Sequence, residues 1–169
     1  MTKYLEHDGA GGAREVAATA TGGVPNANKI PQLDANGQLD QSMMPTGVGA
    51  DTQVMQASES LAAGDQVNIW SSAGAFRVRK ADAAGGTAKK AHGYVKAAYA
   101  SGVNATVYFE GTNDQVSGLT PGDVYLSATT PGGITQTPPT TAGHIVQRIG
   151  YAVSATAVNF EGGAPITLA

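Results

Sequence analysis

The residues able to carry chemistry are few and far apart. His7, His92 and His144 are the only histidines, and none stands at a helical or hairpin spacing from another, so no imidazole pair for a metal is expected. No Gly-x-Ser-x-Gly elbow marks a serine nucleophile. Cysteine is absent, which removes disulfides, thiolate catalysis and Cys-ligated zinc. Gly9-Ala10-Gly11-Gly12 lacks the spacing of a dinucleotide fingerprint, and no Gly-Lys-Ser/Thr sequence is present to cradle a phosphate. Asp34-Ala35-Asn36-Gly37-Gln38-Leu39-Asp40 has the residue types of a calcium loop. It lacks the third ligand before the glycine and the distal glutamate. Asn104-Ala105-Thr106 matches a glycosylation acceptor, but Met1 to Gly9 has no apolar leader to route the chain to the modifying enzymes. The chain is therefore expected to be no enzyme, with no catalytic residue, no metal and no cofactor.

Charge sets further limits. Ten Lys and Arg against thirteen Asp and Glu give a net charge of −3, and only Arg77, Arg79 and Lys80 cluster. In Phe76-Arg77-Val78-Arg79 the basic residues alternate with apolar ones, the pattern of a half-buried strand with a solvent face. No nucleic-acid partner is expected. No apolar run approaches the ~20 residues that span a bilayer, so no membrane partner is expected either.

The elements available to position any site are strands and turns. Charged residues make up 14% of the chain where about 25% is usual, and Gly occurs 23 times. Ala, Thr and Ser are plentiful and no helical period appears, so the fold class expected is all-β, an antiparallel sandwich or barrel-like (jelly-roll-like) domain over residues 51–169. Val54 to Ala57 opens it. Asp65 to Trp70, the Ser71-Ser72-Ala73-Gly74 turn and Phe76 to Lys80 read as a hairpin. Ala91 to Ala100 and Asn104 to Glu110 read as a second strand pair. Leu119-Thr120-Pro121-Gly122 reads as a type II turn before Asp123 to Ala128. Pro131-Gly132-Gly133 turns the chain again, and Ile145 to Val153 with Ala157 to Phe160 closes the domain. With one Trp, three Phe and six Tyr the core is light for 169 residues, which points to oligomerisation.

Residues 1–50 read as an extended arm, rich in Gly and Pro, with a small hairpin around Asn36-Gly37. A lone hairpin is marginal in water. Ile30, Leu33, Leu39, Met43 and Met44 consequently need another surface and are the expected partner-binding residues.

Two stretches resemble known phage sequences. Asn28-Lys29-Ile30-Pro31-Gln32-Leu33-Asp34-Ala35-Asn36-Gly37-Gln38-Leu39-Asp40, with Met43-Met44-Pro45-Thr46-Gly47, resembles a segment of tail-fibre and head-fibre proteins of tailed bacteriophages. Leu61-Ala62-Ala63-Gly64-Asp65, Phe109-Glu110-Gly111-Thr112-Asn113, Leu119 to Ser127 and Val146-Gln147-Arg148-Ile149-Gly150 resemble a β module recurrent in phage virion proteins. The resemblance implies a structural virion protein of the capsid decoration (cement) or head-fibre type. It also implies a homotrimer on the capsid surface, partnered by the major capsid protein and assembled in the host bacterial cytoplasm. No repeated shaft is present, which favours the head over a long fibre. The alternative it implies is a short fibre or adhesin module that binds host-surface glycan, for which an exposed patch of Tyr and Trp with polar neighbours, or a cleft between subunits, would be the sign.

Overall fold

A computed structural model describes residues 2–35, 37–44, 49–85 and 88–169. The protein is all-β, with 42% of its residues in strands. It divides into two compact units, residues 1–49 and 50–169.

The first unit is built from backbone hydrogen bonds with almost no core. Strands β1 (Lys3–His7) and β2 (Ala13–Ala17) pair in antiparallel register from Lys3↔Ala17 to His7↔Ala13. Asp8 shapes the connecting loop, its carboxylate accepting the Ala10 and Gly12 N–H groups. Those two bonds hold the Asp8 carboxyl below the usual range. Cross-strand ion pairs, Lys3–Glu15 and Arg14–Glu6, decorate the ladder. This hairpin corrects the sequence reading of residues 1–50 as an extended arm with a hairpin only around Asn36-Gly37. Around Asp34 the expected turn exists, since Asp34 N–H donates to Gln38 O and Gly37 N–H to Asp34 O. No strand ladder flanks it among the described residues, so it is a turn and not a hairpin. Asn36 and Pro45 to Val48 lie outside the described residues. Among the described residues of this unit Ala18 is the one buried hydrophobic.

The second unit combines a closed barrel with a sheet. Strands β3 (Thr52–Ala57), β4 (Gln66–Ser72), β5 (Ala75–Lys80), β6 (Gly93–Tyr94) and β7 (Asn104–Tyr108) close in the order β3-β5-β4-β6-β7. The sequence reading expected antiparallel pairs throughout. A closed ring with an odd number of strands cannot alternate direction all the way round, and the odd pair here is β3 with β5, parallel at Gln56↔Arg77 and Ala57↔Val78. Val67, Val78, Val95, Ala105 and Val107 fill this core.

A five-stranded sheet follows, ordered β10-β9-β12-β13-β8. Its strands are β8 (Gly111–Asn113), β9 (Gly122–Leu126), β10 (Ile134–Thr135), β12 (Arg148–Ser154) and β13 (Ala157–Phe160). A two-stranded ladder of β11 (Ile145–Val146) and β14 (Ile166–Thr167) completes the unit. Tyr94 ties barrel to sheet: its ring stacks on Tyr108 at 5.4 Å and meets Phe160 at 5.5 Å, in the cluster that holds Leu126 and Ile149. Burial, reinforced by Tyr108 and Asp114, pushes its phenol up to about 12.

Of two expected turns one is present and the other is not. Thr130-Pro131-Gly132-Gly133 is the type II turn, with Gly132 at φ +80° and Gly133 N–H donating to Thr130 O at 2.9 Å. Gly122, assigned to such a turn from sequence, instead opens β9 at φ +146°, a value outside the type II range. Of the Ala91 to Ala100 stretch only β6 is ladder: upstream, polar side chains take over its pairing, and downstream Tyr99 makes an isolated bridge to Leu61.

Candidate binding groove

Outward-facing positions of β4 and β5 supply one wall. In their antiparallel register Asn68 faces Arg79 and Trp70 faces Arg77. The Asn68 amide is buried, and its two ends are used: Oδ1 accepts the Arg79 Nε–H at 3.0 Å, while Nδ2 donates to Lys90 O at 2.9 Å. So anchored, the Arg79 guanidinium lies 4.4 Å from the centre of the Trp70 ring, a cation–π contact. Trp70 is fixed in turn by its indole N–H, which donates to Ser58 Oγ.

The second wall is the segment Lys89 to His92. Its ladder with β4 stops at Val67↔Gly93. After one more backbone bond, His92 N–H to Val67 O, side chains take over: Ile69 N–H donates to His92 Nδ1 at 2.8 Å, and Asn68 reaches Lys90 as above. The substitution parts the two strands and opens the groove. With Nδ1 accepting, the neutral His92 ring carries its proton on Nε2, leaving a donor on a residue that lines the groove. Burial first, and the Lys90 charge second, hold the His92 pKa below its ordinary 6.5.

Gln147 fastens this wall to the rest of the molecule. It is buried, accepts Ala91 N–H at 2.8 Å through Oε1, and donates through Nε2 to Ala91 O and Gly163 O. One amide thus acts as a strand neighbour for Ala91 and pins the loop before Pro165.

Two adjoining compartments result, of about 460 and 430 Å³, which share Lys90, His92 and Pro165. Phe109 and Phe160 border the first, and Trp70, Arg79 and Lys89 the second. Among the described residues no acidic side chain lines either. Elsewhere in this unit the cations are neutralised: Lys80 by Asp65, Lys96 by Asp114, and Arg148 by Asp123 and Glu161. Arg77, Arg79, Lys89 and Lys90 have no ion pair among the described residues, and three of these four line the groove.

Catalytic geometry is a different matter. The His92 Nδ1 that would serve as a base is engaged by a backbone amide. No group of three or more His, Cys, Asp or Glu side chains is placed to hold a metal among the described residues. No helix among them is long and apolar enough to cross a membrane.

The five apolar residues expected to bind a partner lie in the first unit. Ile30, Leu33, Leu39 and Met44 are 53%, 57%, 47% and 41% exposed, and Met43 is half-buried in a single 3-10 turn, Gln41–Met43. Ile30 and its neighbours are held beside Thr19, whose N–H donates to Ile30 O and whose O accepts Gln32 N–H. None of the five belongs to a buried cluster. Leu5, not singled out from sequence, is 75% exposed on β1.

The groove residues were not recognised as a set from sequence. The alternation puts Arg79 on the outer face of a strand and the hairpin register sets Trp70 beside it, but nothing in the spacing adds Lys90 and His92. Compared with protein-family models, with curated proteins and with solved structures, the chain matches none.

Proposed function

We propose that the chain is a non-catalytic structural protein of a tailed-phage virion, a homotrimer that decorates or cements the capsid. In this reading the first unit docks on the major capsid protein and the second forms the outer surface. The observation that carries it is a unit with backbone order but, among its described residues, one buried hydrophobic, Ala18, while Leu5, Ile30, Leu33, Leu39 and Met44 are exposed. Burying each such side chain against a partner is worth about 1.5 to 3 kcal/mol, enough for several arms of one oligomer to act together. The likeness of residues 28–47 to fibre and head-fibre segments supports the same assignment.

The test is rebinding to particles stripped of the protein. The full chain is expected to restore occupancy, and a chain starting at Asp51 to remain folded yet fail to bind. Undiminished binding by the shortened chain would assign docking to the second unit. The groove around Trp70 favours a further role for the outer unit, saccharide binding, since it joins an aromatic ring to polar donors in an open cleft.

A further inference from the structure

We infer that the groove between the β4–β5 face and the Lys89 to His92 segment is a site for an acidic saccharide, a sugar carrying a carboxylate. The inference rests on the saccharide-binding role and goes beyond it by naming the charge of the ligand.

Unpaired charge is the first argument. In a chain of net charge −3, three cations meet in one cleft, and among the described residues they have no ion pair and no acidic side chain lines it. Like charges so gathered repel, and an anion relieves them. Arg79 is pre-oriented: its Nε is spent on Asn68, its Cζ lies 4.4 Å from the centre of the Trp70 ring, and its terminal nitrogens have no hydrogen-bond partner among the described residues. That leaves a guanidinium edge of the kind that grips a carboxylate through two N–H donors.

Shape and neighbouring chemistry supply the second. Each compartment falls in the ~300 to 1,000 Å³ range of small-ligand sites. Trp70, Ile69 and Pro165 give the second compartment an apolar border for the C–H groups of a pyranose ring, and His92 offers Nε2–H to a hydroxyl. A nucleic acid fits less well, because its affinity comes from many phosphate contacts along a basic track, whereas the cations here are three in a pocket on an acidic protein.

Trp70 is the only tryptophan, so its fluorescence reports the site directly. The full chain would be titrated with a trisaccharide of galacturonic acid, the neutral trisaccharide of galactose, and an oligothymidylate. The acidic sugar is expected to shift Trp70 emission with at least about tenfold preference over the neutral one, and to weaken as salt is raised. Arg79→Gln is expected to abolish that preference. Because Arg79 also packs on Trp70, the double variant Lys89→Gln/Lys90→Gln provides an independent check, since it leaves the β4–β5 packing intact. It should lose the acidic preference by about threefold or more while keeping the wild-type melting temperature. Equal binding of acidic and neutral sugars would overturn the inference and leave the saccharide role standing. No response to either sugar would overturn both, and tighter binding of the oligothymidylate would reassign the groove.

Discussion

Gly150 and Gly122 share a backbone conformation and differ in what surrounds them, which separates two costs usually measured together. Their φ values are +151° and +146°, a region that is essentially glycine's alone. A Cβ on Gly122 would meet open space, whereas one on Gly150 would lie 1.9 Å from the Asn159 carbonyl oxygen of the paired strand, where β12 bulges. Gly122→Ala is therefore expected to cost only conformational strain, about 1 to 3 kcal/mol. Gly150→Ala should cost more, because β12 and β13 must move apart, and it should show the larger loss in a denaturant titration. Equal losses would mean that the bulge relaxes without resistance. His92 makes a second residue-scale prediction. Its folded pKa is depressed, so the unfolded chain takes up the proton more readily, and stability rises with pH across the window. The contribution is complete above the unfolded value near 6.5 and is lost as pH falls through the folded pKa, when Nδ1 can no longer accept the Ile69 N–H. Melting temperature should drop as pH falls through and below about 6.5, and His92→Gln should flatten that drop. An unchanged slope in the variant would place the pH dependence elsewhere.

Among the elements, what was legible depended on whether one face had a core to meet. The β4–β5 hairpin was plain, because Val67 and Val78 point inward between polar neighbours and Ala73-Gly74 accepts the positive φ its turn needs. β7, β9, β12 and β13 were located for the same reason. β1 and β2 escaped notice because neither face is buried, so no apolar alternation exists to be read. Their signal was electrostatic instead: Glu6 and Arg14 stand directly opposite one another across the Asp8 to Gly12 loop. β14 is two residues long, too short for any pattern, and is fixed only by its pairing with β11. The interruption between β11 and β12 falls at Gln147, which turns into the interior to serve Ala91. A polar residue amid an apolar run was the available hint that the strand is broken there. The groove stayed hidden on different grounds: the β4–β5 register alone sets Trp70 beside Arg79, but Lys90 and His92 reach them only where the β4–β6 ladder fails, which is not a property of local spacing.

For the whole molecule the proposal turns on association. The second unit buries its apolar residues in three modest clusters built largely from Val and Ala, and it leaves Val54, Phe76, Val103, Val153 and Ile166 about half or more exposed. Scattered singly, such residues call for no explanation. Together with a charged fraction of only 14% they leave a surface that meets a copy of itself with little charge to desolvate. The expected state is a trimer, the number coming from the resemblance to virion decorations and the tendency to associate from the composition. Light scattering at micromolar concentration should give a mass near three times 17.0 kDa. An oligomer that folds and assembles together also melts at a temperature that rises with protein concentration, and a monomer does not. The chain beginning at Asp51 should keep both properties if the β unit is the trimerising part. A mass of 17.0 kDa for the full chain, with a melting temperature indifferent to concentration, would remove the trimer altogether. A trimer of the full chain that falls to monomers on loss of residues 1–50 would instead make the first unit a clasp between subunits, with its exposed Ile30, Leu33 and Leu39 buried against sister chains and not against a shell.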